Sequence, residues 1–183
     1  MQSNYLVGNH VKILKKIFVL LIVSYLIIGL LLFIYQRDLM YFPSPQQQHS
    51  YDVEKLSIED NIIEVIILNP EQKKSIIYFG GNGESVINNA PLYSSLFSTH
   101  TVYLVNYRGY GGSTGTPSEK AFFTDAKIIY DKIYSRHTSV SLIGRSLGSG
   151  VAIFLASIKE VDKLALITPS VSYTHLTLPT NRE

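Results

Sequence analysis

The chain has 183 residues, 46% hydrophobic and 16% charged, and shows no internal repeat or low-complexity block, so one modest domain is expected. Its formal net charge is only +2, and its basic residues are largely scattered, which argues against a nucleic-acid partner. The absence of cysteine excludes disulfides, thiolate metal sites and a cysteine nucleophile, and the five histidines are not spaced like metal ligands.

The first predicted element is an apolar segment near the N-terminus. Residues 17–35, "IFVLLIVSYLIIGLLLFIY", carry no charge and approach the roughly 20 residues that a helix needs to cross a membrane. A buried core helix is rarely apolar on every face. A cleaved signal peptide has an apolar region of about 7 to 15 residues followed by small residues, whereas "YQRDLMYFPSP" follows here. The segment therefore predicts a retained transmembrane helix, a signal anchor.

The charges that flank this segment predict its orientation. Lys12, Lys15 and Lys16 precede it without an acidic neighbour, while Arg37 after it is offset by Asp38. The positive-inside rule then puts residues 1–16 in the cytoplasm and the main domain on the outer side, periplasmic or lumenal. The stretch "FPSPQQQHS" predicts an extended linker, assigned to residues 36–54.

Beyond the linker, predicted strands alternate with predicted helices. Short runs of β-branched and aromatic residues predict strands at residues 62–68, 75–79, 101–106, 140–143 and 164–168. Helical spacing predicts one helix that starts at Ser118 and carries Phe122, Ala126, Ile129 and Ile133 on one face, and another from Leu147 to about Ile158. Strands rich in Val, Ile and Leu that are linked by helices indicate an α/β fold, with a mostly parallel sheet and helices on both faces.

The stretch "SLIGRSLGSG" places Gly144, Ser146 and Gly148 where a predicted strand runs into a predicted helix. This is the G-x-S-x-G pattern of a nucleophile elbow, in which a strained turn lifts the serine hydroxyl above the carboxyl edge of the sheet. Glycines on either side let the backbone pass closely. The pattern alone is weak in a chain with 12 glycines, but the strand before it and the helix after it make it specific.

Two more glycine-rich loops follow predicted strands. In "IIYFGGNGES", backbone N–H groups can turn towards a developing oxyanion, with Asn82 as the first choice of donor and Leu147 as the second. A plain tight turn is the alternative, and the downstream elbow favours the oxyanion loop. In "VNYRGYGGSTGTPSE", Arg108 either binds an anionic substrate or ties loop carbonyls together, and the second role is favoured.

These three stretches, taken together, resemble the α/β-hydrolase superfamily, and within it a branch of single-pass, membrane-anchored serine hydrolases in which a "YFPSP"-like segment precedes the catalytic domain. The resemblance covers about residues 39–169. It implies hydrolysis of an ester, thioester or lipid-like acyl substrate by Ser146, with N–H groups of Asn82 and Leu147 holding the oxyanion and with no metal or cofactor. Two positions depart from the branch, which usually has histidine in place of Gly80 and aspartate in place of Asn106.

Two alternatives to this function stay open at the level of the sequence. One is a non-catalytic interaction domain that kept the elbow but lost its base, and the other is a serine peptidase of the same superfamily. The superfamily orders its triad as Ser, then Asp or Glu, then His. The absence of a histidine downstream of the elbow in the natural sequence would therefore favour the non-catalytic interaction domain. Neither Glu160 nor Asp162 can orient such a histidine, because both come where the last predicted strand begins.

The C-terminal tail, "VSYTHLTLPTNRE", contains the one histidine after the elbow, His175. The codons GTC TCT TAT ACA CAT CTG ACG CTG CCG ACG translate as residues 171–180, and this DNA resembles a transposon-end sequencing adapter read in frame. We therefore expect residues 171–183 to be an assembly artefact. Residues 55–170 are then the N-terminal part of a hydrolase domain that is truncated after about its sixth strand, and this fragment is expected to be inactive.

Overall fold

The computed structural model describes residues 2–169, with side chains from residue 12 onward, and the chain divides into two units between Met40 and Tyr41. The first unit is one helix, α1 (Gln2–Met40). Its stretch Lys12–Met40 contains an 18-residue window with a mean hydropathy of 3.2 and has no buried part, so it is long and apolar enough to cross a membrane. This makes α1 a candidate membrane anchor. The helix continues beyond the predicted end at residue 35 and ends at Met40.

The second unit is built on a six-stranded sheet with the order β1-β2-β4-β3-β5-β6. The strands are β1 (Asp52–Ile58), β2 (Asn61–Leu68), β3 (Lys74–Phe79), β4 (His100–Val105), β5 (Ser139–Arg145) and β6 (Leu164–Ile167). Strands β4, β3, β5 and β6 run parallel to one another, while β2 is antiparallel to both β1 and β4. The predicted α/β class with a mostly parallel sheet is confirmed.

Three helices follow strands of this sheet, namely α2 (Ala90–Leu96), α3 (Glu119–Tyr134) and α4 (Leu147–Ile158). A short 3-10 turn, Val86–Asn89, leads into α2. Helix α3 begins as predicted at Ser118, whose hydroxyl accepts a hydrogen bond of 3.2 Å from the N–H of Ala121. Helices α3 and α4 pack on one face of the sheet and α2 on the other, which confirms the expected covering of both faces.

The core has two layers because successive side chains of a strand point to opposite faces. In β3, Ile77 and Phe79 lie in the layer that contains α3 and α4, while Ile76 and Tyr78 lie in the layer beneath α2, where Tyr78 meets Tyr93 edge to face at 5.1 Å. A strand that is buried on both faces must be apolar at nearly every position. This is why "SIIYF" could be predicted as a strand.

Two elements were missed at the level of sequence. Strand β1 pairs with β2 along its whole length, yet only Leu56 and Ile58 of it are buried, so half of the strand resembles a linker. Helix α2 spans only seven residues and has Pro91 near its start. Both are too short or too polar for a periodicity argument. The predicted boundary of the folded region at residue 55 therefore falls inside β1.

Candidate active site

Ser146 lies in the turn between β5 and α4 with φ 48° and ψ −113°, a backbone conformation that residues other than glycine rarely adopt. Its N–H donates to the carbonyl of Ile167 at 3.0 Å, and its carbonyl accepts from the N–H of Ser149 at 2.9 Å. These bonds hold the strained turn between β6 and the first turn of α4. Because Ser146 directly precedes α4, the N–H groups at the start of that helix lie beside its side chain.

The two glycines that flank Ser146 lie where a side chain cannot fit. A Cβ at Gly148 would lie 2.5 Å from the carbonyl carbon of Phe79 and 2.7 Å from the carbonyl oxygen of Gly80. A Cβ at Gly144 would lie 2.5 Å from the carbonyl oxygen of Gly148. The missing side chains allow α4 to approach the end of β3, which brings the elbow against the loop that follows β3.

That loop forms a tight turn, residues 81–84, which we call the glycine turn. The N–H of Glu84 donates to the carbonyl of Gly81 at 3.3 Å, and Gly83 in the third position has φ 73°, as a type II turn requires. A Cβ at Gly81 would lie 3.6 Å from the Cβ of Ser146. The glycine turn and the elbow therefore face each other.

A surface cavity of about 440 Å³ lies over this junction, and the residues that line it are Gly81, Asn82, Gly83, Glu84, Arg145, Ser146 and Thr168. The structure thus brings two of the predicted site residues, Ser146 and Asn82, to one cavity. Leu147 is the first residue of α4, and its half-buried side chain packs against the core. The predicted roles of these residues stay predictions.

Sequence reasoning missed Glu84, whose carboxylate is the centre of the hydrogen bonds at this site. It accepts bonds of 2.6 Å each from the N–H of Gly81, the hydroxyl of Tyr78 and the side-chain amide of Asn89. Arg145, the residue before the serine, adds a longer contact of 3.4 Å. Glu84 therefore closes the glycine turn on itself and links it to the elbow. Its signal in the sequence is an acidic residue at the fourth position of a glycine-rich turn, which resembles the spacing of a capping box.

The acidity of Glu84 follows from these bonds. Burial alone would raise the pKa of its carboxyl group, but the hydrogen bonds from Tyr78, Gly81 and Asn89, with the charge of Arg145, outweigh burial and lower the pKa from its ordinary value of 4.5. Burial and the neighbouring carboxylate raise the pKa of Tyr78, which keeps its hydroxyl protonated as a donor.

We expect Glu84 to make the stability of the folded domain depend on pH. Its pKa is lower in the folded than in the unfolded chain, so its contribution is fully present above pH 4.5 and is lost as the pH falls through the lowered folded-state value. Thermal unfolding of Glu84→Gln should therefore show a lower Tm than wild type at neutral pH, with the difference shrinking in acid. The exposed Glu71→Gln variant is the control, and a difference for Glu84→Gln that does not change with pH would contradict this assignment.

Arg108 has a structural role, with partners that differ from those expected. Its guanidinium donates to both carboxylate oxygens of Asp125 in α3, at 2.9 and 2.7 Å, and to Glu59 in the turn between β1 and β2 at 2.9 Å. The side chain is 10% exposed and does not line the cavity at Ser146. Arg108 therefore connects the carboxylates of Asp125 and Glu59, whereas the sequence analysis favoured a role in binding loop carbonyls.

Within residues 12–169, no histidine or carboxylate hydrogen-bonds the hydroxyl of Ser146. His137 lies at the start of β5, where its ring nitrogens meet the hydroxyl of Tyr103 at 2.8 Å and the carbonyl of Gln72 at 2.9 Å. The N–H of Asp162 bonds to Val140 at the same end of that strand, as expected for an acid at the far edge of the sheet. The predictions for His175 and for residues 171–183 lie outside the described residues.

The strand order, with a sharp strand-to-helix turn after β5, defines the α/β-hydrolase fold. The structure of the Pyrococcus furiosus esterase Pf2001 has this fold: its TM-score is 0.59 at 20% identity, covering 70% of this chain and 58% of the esterase. No family model matches the chain.

Proteins that are similar in sequence also support membership of the α/β-hydrolase superfamily. Protein bem46 of Schizosaccharomyces pombe is 27% identical over 114 residues, which are 59% of this chain and 38% of that protein. Mouse alpha/beta hydrolase domain-containing protein 17C is 26% identical over 120 residues, 62% of this chain and 38% of that protein. The chain therefore belongs to the α/β-hydrolase superfamily, and its matched part spans well under two thirds of these relatives.

Proposed function

We propose that the gene product that carries this sequence is a membrane-anchored serine hydrolase of acyl esters or thioesters, with Ser146 as its nucleophile. The observation that carries the proposal is the strained backbone of Ser146, with φ 48°, opposite the glycine turn on an open cavity. Strain of this kind persists only where the surrounding structure imposes it, and it concentrates at functional sites. The elbow glycines and the bond from Ser146 to Ile167 impose it here.

In the proposed mechanism, the hydroxyl oxygen of Ser146 attacks the carbonyl carbon of the substrate and the hydroxyl proton passes to a histidine base. The carbonyl oxygen becomes an oxyanion, which accepts hydrogen bonds from the N–H groups of Asn82 and Leu147. Collapse of this intermediate expels the alcohol or thiol, which takes the proton from the histidine and leaves an acyl-enzyme for water to cleave. The base and its orienting acid are expected in the natural sequence downstream of β6.

The substrate class and the location belong to the same proposal. Helix α1, as an anchor, would keep the enzyme in a membrane, where lipid-like acyl substrates are concentrated. The three lysines before the apolar stretch favour a cytoplasmic N-terminus and a hydrolase domain on the outer side. Neither a metal nor a cofactor is needed for this chemistry, and no nucleic-acid partner is proposed.

The test is labelling with a fluorophosphonate probe, which reacts with an activated serine. We expect the full-length gene product, read from the source genome to its natural stop codon, to be labelled on the peptide that contains Ser146. Absence of labelling in a folded protein would favour the non-catalytic interaction domain, and faster cleavage of peptide anilides than of p-nitrophenyl esters would favour the peptidase. The 183-residue chain alone should not be labelled. Labelling that His175→Ala abolishes would instead make His175 the base.

A further inference from the structure

The segment that follows α1 in the chain is bound to the glycine turn. We call residues 41–45, "YFPSP", the strap. The N–H of Phe42 donates to the side-chain oxygen Oδ1 of Asn82 at 2.9 Å. Further along the strap, the carbonyl of Ser44 accepts from the N–H of Gly111 at 2.9 Å, and Pro45 forms a parallel bridge with the same glycine. Ser44 is 6% exposed, so this part of the strap is buried in the domain, whereas Phe42 is exposed.

The same oxygen of Asn82 receives a second donor from a different loop. The hydroxyl of Tyr110, in the loop after β4, donates to Oδ1 at 2.8 Å. Tyr110 is 2% exposed, and its ring meets that of Tyr107 edge to face at 5.7 Å, which fixes the position of the hydroxyl. One side-chain oxygen thus connects three segments: the strap, the loop after β4 and the glycine turn.

The strap also closes the outer side of the glycine turn. A Cβ at Gly83 would lie 3.6 Å from the Cβ of Phe42 and 3.7 Å from its carbonyl oxygen. The turn is therefore held from two directions, by Glu84 on the side of the elbow and by the strap on the opposite side. A type II turn with glycines at two of its four positions has little stiffness of its own, because glycine adopts many backbone conformations.

We propose that the strap and the side chain of Asn82 are positioning elements that hold the N–H of Asn82 where the oxyanion forms. This rests on the proposed function. Donors to an oxyanion act by being fixed in advance, and a displacement of about 0.5 Å is enough to weaken them. The side chain of Asn82 acts through its own backbone and does not touch the substrate. The strap is accordingly part of the active site as well as the connection to α1.

A regulatory consequence follows from the order of these segments in the chain. Proteolysis before Tyr41 would release a soluble domain that keeps the strap, whereas proteolysis after Pro45 would remove the donor to Asn82. The first product should remain active and the second should lose most of its rate.

The decisive experiment uses the full-length gene product with single substitutions. Phe42→Pro removes the backbone donor of the strap, and Gln47→Pro in the exposed segment beyond the strap is its matched control. Tyr110→Phe removes the second donor, with Tyr134→Phe as control, since the hydroxyl of Tyr134 bonds to Glu160, 3.3 Å away at the far end of the sheet. We expect kcat for a p-nitrophenyl ester to fall about tenfold in both test variants, with KM nearly unchanged.

Hydrogen exchange of residues 80–84, followed by mass spectrometry, provides a readout that does not depend on activity. Exchange should be faster in Phe42→Pro and Tyr110→Phe than in their controls, while Tm changes little. Unchanged exchange would overturn the positioning role whether or not the protein is a hydrolase. Faster exchange with unchanged kcat would overturn the link to catalysis. A wild-type protein that neither labels nor hydrolyses would defeat the proposed function, and the exchange measurement would still decide whether the strap holds the turn.

Discussion

Replacing Ser146 by alanine in the full-length gene product is expected to lower kcat for a short acyl ester by about 10⁴ to 10⁶, the range seen when a member of a catalytic triad is removed. The backbone of Ser146 is held with φ 48° by bonds to Ile167 and Ser149, and its side chain lines the cavity. Esterase kinetics with p-nitrophenyl butyrate, at saturating and at low substrate, measure the loss.

The control for this variant is Ser157→Ala, near the end of the same helix, whose hydroxyl donates to the carbonyl of Phe154 at 2.7 Å. It removes the same oxygen from an exposed position, and both rate and labelling should stay at the wild-type level. If the activity of Ser146→Ala stays within about tenfold of wild type, Ser146 is not the nucleophile, because loss of the nucleophile would lower the rate far more.

The second large effect is expected for Gly148→Ala, which should destabilise the domain by about 3 kcal/mol and abolish labelling. The added methyl group would overlap the backbone at the end of β3, at 2.5 Å from the carbonyl carbon of Phe79. Because backbone cannot rotate away as a side chain can, α4 would have to move away from the sheet and take Ser146 with it. A fall in Tm of roughly 6 to 12 °C is the measurable result.

Gly150→Ala is the matched control for Gly148→Ala. It lies in the same helix, and a Cβ at this position would meet no atom within 4 Å among the described residues. Alanine is the better helix former, so this variant should gain about 0.5 to 1 kcal/mol in stability and retain labelling. Equal stability of the two variants would show that the close approach of α4 to β3 is not what requires glycine at position 148.

The parts of the fold that the sequence predicted share one physical cause. Strands β3 and β4 are buried on both faces, so apolar residues occur at most of their positions and mark them as strands. The elbow is equally visible, because sterics require glycine at positions 144 and 148 and a short residue with unusual backbone angles between them. Where burial or backbone geometry restricts which residues fit at a position, the restriction is visible in the sequence around that position.

Two contacts that the sequence did not predict join residues that are distant in the chain. The carboxylate of Glu84 contacts the guanidinium of Arg145, which is 61 positions away. The bond from Phe42 to Asn82 joins residues that are 40 positions apart. No periodicity or motif records such pairs, since each residue is ordinary in its own neighbourhood.

The strand order also sets the sequence in which the chain can become ordered during synthesis. Among the six described strands, only β1 and β2 form a local hairpin, with Ile58 facing Asn61 across the turn. Strand β3 finds neither neighbour until later: Lys74 pairs with His100 on one side and with Ser139 on the other. Such distant pairings are slow to form and leave an apolar strand exposed to misassociation in the interval. While the ribosome is still translating residues 80–138, β3 lacks its β5 partner, so this interval is when the nascent protein most needs chaperone protection.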